Sequence, residues 1–204
     1  CATGQRPALR VMRPVILWFR RDLRLADNPA LEAALKSGAP ILPLYVLDET
    51  PGLRAPGGAS RWWLDKSLAA LAADIEARGA RLILRRGDAA TIVRDLTVET
   101  KAQGVYLNAL FDPAVAERDA HLAEVLRAHD VAPHRFNGGH LVHPDTVRTK
   151  TGGPYNVFTP FWRTAREQVT ETRATPAPDH LPSPTHWPDT DRLADWKLHP
   201  VRPD

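Results

Sequence analysis

Residues 15–31, VILWFRRDLRLADNPAL, decide the fold. Val15 to Phe19 is apolar at every position, as a strand must be when helices cover both faces of a parallel sheet. The apolar run stops at Arg20, Arg21 and Asp22, and Asn28 then precedes Pro29. Asparagine caps helix N-termini well, and proline in the first turn loses nothing because the N–H it lacks has no intrahelical acceptor. The stretch therefore reads as strand, charged loop and helix start, the opening of a βα unit.

The same rhythm continues downstream. A second strand is predicted over Ile41 to Leu47, where Pro43 calls for a bulge or for pairing that begins at Leu44. Leu64, Leu68, Leu71 and Ile75 recur at spacings of three and four, which predicts a helix from Ser60 to Arg78 closed by Gly79. Ala80 to Leu84 makes a third strand, and Asp88 caps a helix to about Gln103. Val105 to Leu107 makes a fourth strand ending at Asn108, Asp112 and Pro113 open a helix to about His129, and Ala132 to Phe136 makes a fifth strand. This alternation predicts an α/β, Rossmann-like, doubly wound parallel sheet of five strands with order 3-2-1-4-5.

The α/β domain is expected to occupy residues 13–136, followed by a loop and interface segment, 137–170. Pro176, Pro178, Pro182, Pro184 and Pro188 are too closely spaced for a helix or central strand, so 171–204 is expected to be a linker. Trp187 and Trp196 lie within it, and aromatics this large usually bury against something. Residues 1–12 are expected to be a leader, tag or disordered, with Met12 as the natural start.

A composition of 43% apolar and 25% charged residues is that of an ordinary globular chain. No apolar run approaches the roughly 20 residues that cross a bilayer. The single cysteine, Cys1, excludes an intrachain disulfide or cysteine metal site and suits a reducing cytoplasm. A net charge of +3, with several arginines in the tails, is too mild to identify a nucleic-acid partner.

In an open parallel sheet, ligands settle beyond the carboxyl ends of the strands, where strand order reverses. With order 3-2-1-4-5, Arg20, Arg21, Asp22 and Arg24 after strand one face the same crevice as Asn108 and Asp112 after strand four. No G-x-G-x-x-G, Walker lysine loop, G-x-S-x-G elbow or H-E-x-x-H occurs, so neither a dinucleotide fingerprint nor a nucleophile or zinc site is legible. His140 and His143 lack a third ligand and read as surface histidines.

WFRRDLRLADNPAL at 18–31 resembles the opening strand and loop of DNA photolyases and cryptochromes, whose pattern is W-F-R-x-D-L-R-x-x-D-N-x-x-L. GASRWWLDKSLAAL at 58–71, VYLNALFDP at 105–113 and GGPYNVFTPFWR at 152–163 match the family in the right order. The resemblance implies an amino-terminal antenna domain that holds a folate, deazaflavin or FMN-type pigment. It implies as partners a separate helical domain binding FAD, to which 171–204 would lead, and damaged DNA through the whole protein. The chain alone is then expected to lack FAD, catalytic residues and repair activity, although the parent would be a deoxyribodipyrimidine photolyase, a carbon–carbon lyase, or a cryptochrome photoreceptor. A generic nucleotide-binding α/β module is the alternative of another class.

By that resemblance Phe19, Arg20, Arg21 and Asp22 line the pigment cleft, Asp48 and Glu49 stand near its other wall, and Asn108 and Asp112 lie across it. Asp112 takes the place of a family glutamate. Leu110 stands where deazaflavin-binding branches carry an acid, which weakens that choice of pigment. Asp112 is equally a candidate helix N-cap, while Arg24 and Asp27 read as fixing the turn. One of Trp62 and Trp63 is expected in the core, and Tyr155, Phe158, Phe161 and Trp162 at the interface with the helical domain.

Overall fold

The computed structural model describes residues 12–170 and 173–199, so the expected leader, 1–12, lies outside it except for Met12. The alternation of strands and helices is realised as β1 (Val15–Phe19), α1 (Pro29–Lys36), β2 (Ile41–Asp48), α2 (Gly58–Glu76), β3 (Ile83–Gly87), α3 (Ala89–Thr100), β4 (Gly104–Asn108), α4 (Pro113–Ala128), β5 (Ala132–Phe136) and α5 (Phe158–Gln168). All pairings are parallel and the order is β3-β2-β1-β4-β5.

Alternate residues of a strand face opposite sides, and β1 divides accordingly. Val15, Leu17 and Phe19 join a core with α1, α2, Leu181, Trp196 and Leu198. Ile16 and Trp18 join a second core with α3 and α4. Asn28 caps α1 as expected, its Oδ1 accepting from the Leu31 amide at 3.2 Å. Pro43 pairs with Leu17 of β1, while pairing with β3 begins at Leu44, so the proline precedes the ladder it would have interrupted.

Three expectations about these elements are corrected. β3 starts three residues later than Ala80, because the Ala80 amide still bonds back to Ile75 at the end of α2. Neither Trp62 nor Trp63 enters the core: they are 43% and 67% exposed, and α2 buries only Leu68, Leu71 and Ile75 in its later turns. The segment 137–170 contains α5, which Pro160 near its start concealed in the sequence.

The proline-rich segment folds as a strap onto the sheet, with Trp196 buried as an aromatic of that size was expected to be. The amides of Asp27 and Ile41 donate to the carbonyls of Thr175 and Pro182, and the Leu181 amide donates to Arg78. Thr190 Oγ1 accepts from the Leu84 amide at 2.8 Å, covering the edge of β3. Trp196 is 6% exposed, stacks obliquely on Tyr45 at 6.2 Å and donates to Asp191. Burial pushes the Tyr45 hydroxyl up to about 12.

Candidate functional site

Where β1 and β4 end side by side, three polar side chains lock together. Asn108 Nδ2 donates to Asp22 Oδ2 at 2.5 Å and to Asn28 Oδ1 at 2.8 Å, and Asp22 Oδ1 accepts the Arg20 amide at 2.8 Å. The charged loop is thus tied to β4 and to the cap of α1. Arg24 braces the same turn by donating to the carbonyls of Asp27 and Gly138, in keeping with the structural reading of both residues.

Gly138 lies directly over Asn108. A Cβ built there would fall 2.3 Å from Asn108 Cγ, whereas one at Gly139 would meet nothing within 4 Å. Gly138→Ala is therefore expected to lower stability by about 1–3 kcal/mol through overpacking and Gly139→Ala to change it little; urea unfolding midpoints of the two variants test this, and equal midpoints would refute it.

Arg20 occupies an even position of the β1 register and turns toward the α3/α4 face, where its side chain is only 6% exposed. Its Nη1 donates to Asp119 Oδ2 at 2.7 Å, and its Nη2 bonds the Asn108 carbonyl. Arg118 Nη2 bonds the other oxygen of Asp119 at 2.6 Å, and its Nη1 pairs with Asp48. Both guanidinium groups lie over the Trp18 ring, at 5.1 and 4.9 Å. Burial draws the Arg20 guanidinium below its usual value, with Asp119 opposing the shift.

This network borders a cleft of about 490 Å³ between the loop after β2, α3 and one face of α4 from Ala114 to Val125. Leu53, Ala90 and Val125 give it apolar walls, and Thr50, Arg94, Arg118 and His121 add polar groups. Thr50 Oγ1 donates to Asp48 Oδ1 at 2.5 Å and lies 3.0 Å from Asp88 Oδ2, tying the β2 loop to α3. Asp88 caps α3 through the Thr91 amide, and Thr91 holds its carboxyl below the usual range.

Asp48 joins the network from the end of β2. Glu49, next along, pairs with Arg86 at 2.7 Å, and that hydrogen bond holds its carboxyl below the usual range. Arg21 and Asp112 form an exposed ion pair at 2.9 Å. Asp112 has the N-cap position of α4 but makes no side-chain capping bond, so the capping reading is corrected: its carboxylate goes to Arg21. Phe19 is corrected as well. It is 1% exposed and its odd register turns it into the α1/α2 core, away from the cleft.

Arg118 and Asp119 escaped the sequence reading. Their signal is a charged pair interrupting the buried stripe of Val115, Leu122 and Leu126 on α4, where an apolar residue would be expected. The described residues contain no group of three metal-ligating side chains and no helix long and apolar enough to cross a membrane.

A parallel sheet of this order is matched by known proteins. The sequence profile of the DNA photolyase family covers residues 15–182. The chain belongs to this family. It is 46% identical over 193 residues to a deoxyribodipyrimidine photo-lyase of Agrobacterium fabrum, covering 94% of this chain and 40% of that protein. Cryptochrome-1 of Arabidopsis thaliana is 40% identical over 149 residues, covering 72% of this chain and 22% of that one. The crystal structure of a bacterial class III photolyase from Agrobacterium tumefaciens superimposes with a TM-score of 0.90 at 41% identity, over 98% of this chain and 41% of that structure. The chain thus spans less than half the length of the photolyases and cryptochromes it matches, and within them it corresponds to the amino-terminal α/β domain.

Proposed function

We infer that this photolyase-family domain holds a flat antenna pigment in the cleft beside Arg118 and serves a protein of light-dependent DNA repair. The observation that carries the reading is the cleft itself, about 490 Å³ with apolar walls and a few fixed polar groups, within the size and chemistry of cofactor sites. A folate, a deazaflavin or an FMN-type pigment would fit these walls. Leu110, the position where the resemblance would want an acid for a deazaflavin, does not line this cleft, so the pigment is chosen by the binding test below. Such a pigment absorbs near-ultraviolet or blue light and passes the excitation to FAD.

In this reading Arg118 and His121 meet the pigment. Asp48 and Asp119 fix Arg118, and Arg20, Asp22 and Asn108 hold the switch point in shape. Arg21, Asp112 and Glu49 are exposed and lie outside the lining of this cleft. FAD and damaged DNA belong to the longer protein, a cytoplasmic deoxyribodipyrimidine photolyase. Its helical FAD domain would cover Val157, Phe158 and Trp162, which are 63%, 72% and 41% exposed on and beside α5 and form an apolar patch typical of an interface. The 40% identity to a plant cryptochrome favours a photoreceptor as the second reading.

The test mixes the purified chain with methenyltetrahydrofolate, a deazaflavin and FMN in turn. One of them should show a red-shifted absorption band, and His121→Ala and Arg94→Ala should weaken its binding about tenfold, as for loss of a hydrogen bond to a charged group. No band with any of the three, or a band indifferent to both substitutions, would remove the cleft from the proposal.

A further inference from the structure

A second cleft, of about 510 Å³, opens on the other flank of α4, beyond the carboxyl ends of β4 and β5. It shares no lining residue with the first, and Ala116 of α4 backs it where Arg118 and His121 back the other. From this cleft we propose a separate binding site for a purine mononucleotide. The proposal goes beyond the antenna reading and does not depend on it.

Its walls divide as a nucleotide would require. Phe111 and Phe136 offer aromatic surface, with Leu110 beside them. Phe111 is held at right angles to the rings of His140 and His143, at 4.9 and 5.0 Å. Phe136 is fixed from behind by near-parallel stacking on Tyr106 at 6.1 Å, and its carbonyl accepts the Ala109 amide at 2.7 Å. A base entering between rigid aromatic groups gains stacking energy without ordering them.

The polar groups supply both remaining halves of the ligand. Asn137 Nδ2 donates to the His140 carbonyl at 3.2 Å, which directs its Oδ1 elsewhere. That oxygen is buried and has no hydrogen-bond partner among the described residues. Buried acceptors are nearly always paired, and an orphan one costs about 1–3 kcal/mol. A purine N–H in the cleft reaches this oxygen only if the Asn137 side chain, which lines the cleft, turns toward it.

Arg135 makes no ion pair among the described residues and lines the same cleft, where a guanidinium can grip a phosphate bidentately. His143 Nδ1 accepts the Asp145 amide at 3.2 Å. That bond leaves the neutral ring's proton on Nε2, available to a second phosphate oxygen. Asp145 is itself turned toward Arg148 at 3.0 Å, which offsets its charge near an anion.

Equilibrium dialysis of the whole chain with AMP tests the site. The expected result is saturable 1:1 binding, weakened about tenfold or more by Arg135→Ala, as for loss of a charge-assisted hydrogen bond. His121→Ala and Arg94→Ala, in the first cleft, should leave it unchanged. Adenosine should bind more weakly than AMP, and inorganic phosphate more weakly still. Arg135 is exposed, so its replacement tests binding without risking the fold, and Asn137→Leu adds the base-reading contact. No saturable binding, binding indifferent to Arg135→Ala, or binding lost instead through His121→Ala would each overturn the proposal. The pigment band is read separately, so either site can fail without the other.

Discussion

Asp119→Ala should cost the domain about 3–5 kcal/mol, because it takes from the buried Arg20 guanidinium its carboxylate partner and leaves Arg118 with Asp48 alone. Arg20 and Arg118 have side chains only 6% and 7% exposed, and Asp119 is 1% exposed between them. Neither arginine can shed its charge near neutral pH, so removing the carboxylate leaves like charges facing each other over Trp18. A domain is typically stable by only about 5–15 kcal/mol in all. The urea midpoint should fall accordingly, and α4 should lose amide protection first. Asp112→Ala is the matched control. It breaks a pair whose side chains are 65% and 49% exposed, and such pairs contribute about 0–1 kcal/mol. Equal midpoints for the two variants would show that the network does not hold the crevice together.

The difference between those two aspartates also marks what the sequence could convey. Periodicity was enough for a doubly wound sheet: the all-apolar β1, the Asn28 cap and the Leu68, Leu71, Ile75 stripe are local signals, but the same alternation suits other strand orders, and only the pairings fix 3-2-1-4-5. Position within a strand was legible too, but only once the faces were assigned. Phe19 and Arg20 are neighbours in sequence, yet strand alternation sends the phenylalanine into the α1/α2 core and the arginine to the α3/α4 side. A resemblance that names a loop does not make that division.

The network itself was not legible for a physical reason. Arg20 meets Asp119 across 99 positions of sequence and Arg118 meets Asp48 across 70, and nothing local in either partner announces the other. The family pattern drew attention to the strand-one loop, whereas the cleft is walled mainly by α3 and α4. Asp112 illustrates the converse. Its position before Pro113 is a strong capping signal, but the free-energy gain from capping is about the same size as that of an alternative partner, and Arg21 is within reach.

Removal of residues 173–199 should abolish cooperative folding of 12–170 rather than merely shorten the chain. Prolines at close spacing argued for a tether, since they forbid helix and central strand, but they equally suit an extended strap that donates few hydrogen bonds and accepts several. The strap supplies Leu181, Trp196 and Leu198, at 1%, 6% and 3% exposure, to the same core as α1 and α2. It also receives or gives backbone bonds at Asp27, Ile41, Arg78 and Leu84. Loss of Trp196 alone, as Trp196→Ala, is expected to cost about 3–5 kcal/mol, the usual range for a truncated buried indole. The full deletion adds the loss of Leu181 and Leu198 and leaves the edge of β3 bare, an invitation to intermolecular pairing. Size-exclusion chromatography and urea unfolding of the shortened chain should therefore report aggregation or a broad, non-cooperative transition. A sharp, monomeric transition with a midpoint near that of the intact chain would mean that the α1/α2 face closes without the strap, and that Trp196 rests on a surface already complete.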